Sequence, residues 1–151
     1  IFNLKSKGGL TMSDCLFCKI INGDIPSIKV YEDEHVYAFM NIAPVTKGHI
    51  LLIPKTHCVN LFDMPEDVAA NLYKVAPKLA NALKTTFNCV GMNTLNNNEA
   101  AAGQTVFHYH LHFIPRYDER DGIKVGWETF ENNYPIDVLQ AVAEEIKENL
   151  N

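Results

Sequence analysis

Residues 106–114 read Val106-Phe107-His108-Tyr109-His110-Leu111-His112-Phe113-Ile114. Strict alternation with aromatic and β-branched residues predicts a strand over Val106–Ile114. Successive strand side chains point to opposite faces. Phe107, Tyr109, Leu111 and Phe113 then form an apolar face for the core. His108, His110 and His112 line the other face, roughly 6.6–6.8 Å apart.

Three imidazoles in a row admit three readings. A solvated sheet face is one, although Thr, Lys or Glu would serve it without crowding titratable rings. A metal site built directly on the His-x-His pairs is the second. The third is catalysis on phosphate: neutral imidazole is a good nucleophile near pH 7 and a good leaving group from phosphorus. Its neighbours can fix its tautomer and donate to phosphate oxygens. The residues upstream favour the third reading. Gly103-Gln104-Thr105 enters the predicted strand directly. A glycine there allows close backbone approach to a ligand, and amides with the Thr105 hydroxyl can hold phosphate oxygens.

Working outward, Leu16–Ile21 reads as a short helix stopped by Asn22-Gly23. Lys29–Glu32 and Val36–Met40 read as strands around Asp33-Glu34, and Ile50–Ile53 as a buried strand ended by Pro54. A long helix is expected over Pro65–Thr86, with Asp63 and Glu66 as a capping box and a kink at Pro77. Met92–Leu95 suits a strand, Asn96–Gly103 a loop, and Pro135–Leu150 a second main helix. Residues 1–11 differ in character from the rest of the chain, and Met12-Ser13-Asp14 reads as a natural start. The expectation is a cloning remnant or disordered tail over 1–11 and a single domain over 12–151.

The 151 residues carry a net charge of −5. That balance argues against a broad nucleic-acid footprint, yet a local donor cluster can still bind a small anion. No apolar run is long enough to span a membrane, and no signal-peptide segment is visible. A cytoplasmic protein with reduced thiols is the expectation for Cys15, Cys18, Cys58 and Cys89.

The segment Gly103–Ile114 closely resembles the signature of the histidine triad (HIT) family. Pro44–Ile50, followed by Ile53-Pro54-Lys55-Thr56-His57, resembles its second block. Cys15–Ile20 resembles the N-terminus of Hint-type members, and the likeness leans to their bacterial branch. It covers roughly Cys15 to Arg116. It implies an α+β, HIT-like fold: an antiparallel sheet of about five strands with two main helices. It also implies a homodimer with the long helix and a central strand at the interface. By the same resemblance His110 is the nucleophile that forms a nucleotidyl-imidazole, and His112 contacts the phosphate or leaving group. His49 lies beside the triad and helps orient the nucleophile. Asn41 binds ribose hydroxyls; many Hint-type members carry Asp there, and Fhit-type members Asn. Asn97 reaches phosphate or leaving group, with Asn96 and Asn98 as neighbours that could take its place. Gly103, Gln104, Thr105 and Val106 form the phosphate-holding loop.

Cys15 and Cys18 have a C-x2-C spacing, which suits half a zinc site. Redox chemistry would need a preceding strand, which is not evident; two unremarkable thiols are the remaining alternative. His57, after a strand end, is the best third ligand and His108 the best fourth. The resemblance supports this set, since galactose-1-phosphate uridylyltransferase and many bacterial triad proteins use two cysteines with two histidines so placed. Four protein ligands leave no open position, so the zinc would be structural. Cys58 and Cys89 read as partly buried small residues without chemistry, and no organic cofactor is expected.

The expected activity is hydrolysis or nucleotidyl transfer at the α-phosphate of a purine nucleoside phosphoramidate or related nucleotidyl compound. The alternatives are a dinucleoside polyphosphate hydrolase, a non-catalytic nucleotide-binding regulatory module, and a metallohydrolase with zinc on the triad.

Overall fold

The computed structural model describes residues 14–118 and 121–150. The expectation for residues 1–11 lies outside them. Five strands form one antiparallel sheet: β1 (Lys29–Glu32), β2 (Val36–Met40), β3 (Ile50–Pro54), β4 (Gly91–Leu95) and β5 (Leu111–Arg116), in the order β1-β2-β3-β5-β4. Helix α1 (Leu16–Ile21) precedes the sheet, α2 (Glu66–Phe87) connects β3 to β4, and α3 (Ile136–Glu148) ends the chain. The α+β architecture expected from the sequence is the one observed.

Alternation along the central strands separates two cores. Val36, Ala38, Ile50 and Leu52 pack with Leu72, Val75, Leu79 and Leu83 of α2. The intervening residues Tyr37, Phe39, Leu51 and Ile53 pack with Phe17 and Ile20 of α1. Strand β3 is buried along its whole length, which explains its unbroken apolar run. The histidines belong to the α1 side of the sheet.

Three expectations need correction. The strand carrying the triad begins at Leu111, not Val106. Its pairing with β3 stops at Leu52↔Leu111, and β4 ends at Leu95, so no ladder pairing among the described residues reaches Val106–His110. Alternation nevertheless persists there: Tyr109, Leu111 and Phe113 join the α2 core. The Tyr109 amide donates to the Cys58 carbonyl at 2.8 Å instead of to a ladder. The capping box is also absent, because Pro65 is the N-cap of α2 without a side-chain bond. The Asp63 carboxylate accepts from the Val59 and Asn60 amides at 3.0 and 2.9 Å, closing the preceding loop. Cys58 and Cys89 are fully rather than partly buried, at 2% and 5% exposure. Helix α2 continues through Pro77.

Gly48 turns the chain into β3 with φ +88°. A Cβ there would meet the Phe87 ring at 2.8 Å, so the turn needs both the backbone freedom and the missing side chain. At the other end of the chain, α3 leaves Ile136, Leu139, Val142 and Ile146 exposed along one side.

Candidate active site and metal centre

The segment before β5 and the strand itself carry the triad to three different surroundings. His110 is 5% exposed, and its Nδ1 lies 2.8 Å from the His108 carbonyl oxygen. A carbonyl only accepts, so Nδ1 carries the proton and Nε2 keeps the lone pair. Burial holds the His110 pKa below its ordinary value; the bond to the His108 carbonyl opposes this, and the His108 ring adds to the lowering.

The same logic fixes the next two rings. The Val45 amide donates to His49 Nδ1 at 3.1 Å, so the His49 proton sits on Nε2. That N–H donates to His112 Nδ1 at 2.8 Å. His112 therefore carries its own proton on Nε2. Burial lowers the His112 pKa to about 4, helped by the fields of His110 and His49. His49 is lowered by burial as well. The site thus offers a neutral nucleophile beside a neutral donor. His49 bonds to His112, not to His110; it reaches His110 through the His112 ring, which lies 5.1 Å from His110 between centroids.

These rings open on a cavity of about 310 Å³. Leu16, Phe17, Ile20, Phe39 and Leu51 supply apolar wall, while Asn41, Asn97 and Thr105 supply polar groups. Among the described residues, no Lys, Arg, Asp or Glu lines it. The three cations near in sequence are engaged elsewhere. Lys47 lies over the Phe87 ring, Lys55 pairs with Glu32 at 3.7 Å, and Arg116 pairs with Asp121 at 3.1 Å.

The three consecutive asparagines separate clearly. Asn96 donates to the His110 carbonyl at 3.1 Å, and Asn98 accepts from the Leu61 amide at 2.7 Å. Asn97 is the one at the cavity, its amide 3.4 Å from the Gly103 carbonyl. Asn41 accepts from the Ala43 amide at 2.9 Å through Oδ1. Its Nδ2 is 3.3 Å from His49 Nε2, but both are donors in this arrangement, so that amide remains free to donate to a ligand. Gly103 (φ +92°), Thr105 and Val106 line the cavity. Gln104 does not: it is 3% exposed and braces the loop, donating to the Val59 carbonyl at 2.6 Å and accepting from the Glu99 amide at 2.8 Å. Its backbone amide is engaged too, donating to the Glu99 carbonyl at 3.1 Å, and the Gly103 amide donates to the Ala100 carbonyl at 3.0 Å.

Cys15, Cys18, His57 and His108 converge behind the triad, with one ligand atom from each within 4.8 Å of all the others. Cys15 caps α1 and Cys18 lies one turn on, so one helix end aims both sulfurs at one point. Cys18 Sγ is 3.3 Å from His57 Nδ1, Cys15 Sγ is 3.4 Å from His108 Nδ1, and the two Nδ1 atoms are 3.2 Å apart. Tetrahedral zinc with ordinary bond lengths separates its ligands by roughly 3.3–3.8 Å, so the donor set fits. The tautomer fits too: His108 Nε2 donates to the Pro54 carbonyl at 2.8 Å, turning the Nδ1 lone pair toward the sulfurs. Hydrogen bonds from Cys18, opposed by burial and aided by His108 and His57, push the Cys15 thiol strongly toward thiolate.

Sequence reasoning passed over the cavity wall. Phe17 places its ring edge-on to His110, 5.3 Å between centroids, and Ile25, Ser27, Phe39 and Ile42 line the same space. Ser27 carried no signal, and for the others the only mark in the sequence was apolarity, which core packing also explains.

The HIT domain family matches residues 22–119. A crystal structure of a HIT family protein from Bacillus anthracis is 51% identical with a TM-score of 0.89, covering 91% of this chain and 98% of that one. The adenosine 5'-monophosphoramidase HNT1 of Candida albicans is 39% identical over 142 residues, 91% of this chain and 92% of its own. A zinc-bound histidine triad family protein from Mycobacterium smegmatis is 35% identical with a TM-score of 0.69, covering 91% of this chain and 99% of that one. The chain belongs to the HIT family.

Proposed function

We propose that this protein is a nucleotide hydrolase or nucleotidyl transferase acting on the α-phosphorus of purine nucleoside phosphoramidates and related compounds, with His110 as covalent nucleophile. The observation that carries this reading is the tautomer of His110. Its proton is committed to the His108 carbonyl, leaving Nε2 as a lone pair beside a cavity of neutral groups. Relatives named adenosine 5'-monophosphoramidase support the substrate class.

Nε2 attacks phosphorus, the P–Nε2 bond forms, and the bond to the leaving nitrogen breaks. The amine departs with the electron pair and takes a proton from the medium. Water then attacks phosphorus, the P–Nε2 bond breaks, and nucleoside monophosphate leaves with release of a proton. The His112 Nε2–H is placed to donate to a phosphate oxygen or to the leaving group. The backbone amides of Thr105 and Val106, the Thr105 hydroxyl and Asn97 hold the phosphate, with Gly103 and Gln104 shaping the loop, while the Asn41 amide meets the ribose. Zinc at Cys15, Cys18, His57 and His108 would be structural, with four protein ligands and no open position. It would fix the backbone whose carbonyl orients His110.

A homodimer is part of the proposal, supported by the apolar row exposed on α3 and by the unpaired outer edge of β4. No helix among the described residues is long and apolar enough to cross a membrane. A cytoplasmic location is part of the proposal, supported by four free thiols.

The test is a trapped intermediate. Protein mixed with adenosine 5'-phosphoramidate, quenched in base and digested should carry an adenylyl group on the peptide containing His110. His110→Ala should lose both label and turnover while still binding adenosine 5'-monophosphate. Turnover by His110→Ala near the native rate would overturn the mechanism, and binding without label or turnover would indicate a regulatory module.

A further inference from the structure

Helix α1 belongs to two sites at once. Cys15 and Cys18 point to the metal cluster, whereas Leu16, Phe17 and Ile20 form one wall of the cavity. It has six residues, too few to be stable alone, so its position depends on what it is attached to. Phe17 stands where the sites meet. It is 5% exposed, with its ring edge-on to His108 at 5.9 Å, to His110 at 5.3 Å and to Phe39 at 5.5 Å. One aromatic side chain therefore touches a metal ligand, the nucleophile and the cavity wall.

We propose that α1 is a metal-clamped wall of the ligand cavity, and that Phe17 is the positioning residue through which metal occupancy sets ligand affinity and the orientation of His110. This rests on the nucleotide reading of the site. With metal bound, two thiolates pin the N-terminal end of α1, and Phe17 is held against His110. Without it, the helix keeps its apolar packing but loses that anchor, and the closed wall becomes one of several arrangements. Apparent affinity then falls by the fraction of molecules with the wall in place. A second route runs from His108 through its own carbonyl to His110. Removing the Phe17 ring separates the two.

The experiment measures binding of adenosine 5'-monophosphate by titration calorimetry, with metal content determined on every sample. Zinc-loaded, chelator-stripped and zinc-restored forms are compared for the native protein, Phe17→Leu and Phe17→Ala. The expected result is about tenfold weaker binding by stripped native protein, restored by zinc. Loaded Phe17→Ala should bind about as weakly as stripped native protein, and stripping it should change affinity less than about twofold. The His110 ring proton resonance should shift on zinc addition in the native protein and stay in place in Phe17→Ala. Unchanged affinity on stripping a still-folded native protein overturns the proposal. So does an equal loss on stripping native protein and Phe17→Ala, which would assign the coupling to the His108 carbonyl. If stripping unfolds the chain, loaded Phe17→Leu and Phe17→Ala decide: native affinity at full zinc content refutes the role. Failure of loaded native protein to bind adenosine 5'-monophosphate at all would remove the nucleotide reading itself, a distinct result.

Discussion

Replacing His112 by Gln should flatten part of the acid sensitivity of folding. In the native fold the His112 ring is neutral, held by a 2.8 Å bond from His49 and facing His110. Its pKa is lowered to about 4, first by burial and then by those two neighbours. In the unfolded chain it returns to about 6.5. Between these values the unfolded chain binds more protons, so stability falls as pH drops from about 6.5 to about 4 and is unaffected above. A shift from 6.5 to about 4 spans about 3 kcal/mol, since each tenfold change in proton affinity is worth about 1.36 kcal/mol. Water reaching the partly exposed ring screens this to about 1–2 kcal/mol. The assay is urea unfolding of native and His112→Gln protein at steps from pH 7.5 to 4, in matched buffer and metal. A constant difference reports the lost bond to His49; the change in that difference with pH reports the titration. The gap should shift by about 1–2 kcal/mol in favour of the variant across the window. Parallel curves from pH 7.5 to 4 would mean that His112 is not held neutral, and its role as a neutral donor would fall with them.

Zinc should copurify at about one per chain and be lost from Cys15→Ser, Cys18→Ser and His57→Ala, by elemental analysis. At a hundredfold excess over its dissociation constant it adds about 2.7 kcal/mol, so chelation should lower the melting temperature by roughly 5–10 °C. Metal that vanishes in His110→Ala but survives Cys15→Ser would place it on the triad instead. Adenosine phosphoramidate should have a higher kcat/KM than a dinucleoside tetraphosphate in the same buffer, because no Lys or Arg among the described residues lines the cavity to meet extra phosphates. A tetraphosphate advantage of about tenfold, or roughly 1.4 kcal/mol, would refute the preference. Light scattering should give twice the chain mass, and Leu139→Glu with Val142→Glu should reduce it to one if α3 joins the interface; an unchanged dimer would exclude α3 from it.

Local signals carried most of the fold. Asn22-Gly23 ends α1, and Asp33 accepts from the His35 and Val36 amides to form the turn between β1 and β2, so the bounds of these elements could be read directly. The start of β5 could not, because pairing depends on where β3 and β4 end. The capping box failed for a related reason: an Asp near a helix start serves whichever amides the tertiary fold brings, here Val59 and Asn60. Three adjacent asparagines are equivalent in sequence and differ only once Leu61, His110 and Gly103 surround them. The cluster of Cys15, Cys18, His57 and His108 was legible from spacing and resemblance together, since Cys15 and His108 lie far apart in the chain and meet only through the sheet. Phe17 was illegible because a wall residue and a core residue follow the same apolar pattern.

Under the proposed mechanism, the placement of the triad suits phosphorus chemistry to a cavity that no Lys or Arg among the described residues lines. A two-residue period sends His108, His110 and His112 to the same side, but each ring finishes its hydrogen bonding with a different partner. His108 gives its Nε2–H to the Pro54 carbonyl and its lone pair to the sulfur cluster. His110 gives its Nδ1–H to the His108 carbonyl and retains a lone pair. His112 receives from His49 and retains a proton. His108 thus orients His110 through its own peptide carbonyl, and the neighbouring His112 ring supplies a donor without adding charge. A lysine or arginine at this wall would stabilise phosphate oxygens. Its field would also lower the proton affinity of the imidazoles further. Neutral donors in fixed positions avoid the second effect and act where charge grows on the oxygens during attack. Binding of the rest of the molecule then falls to the apolar wall of α1 and β2 and to the Asn41 amide. The chemistry and the recognition therefore sit on different elements, with Phe17 at their contact.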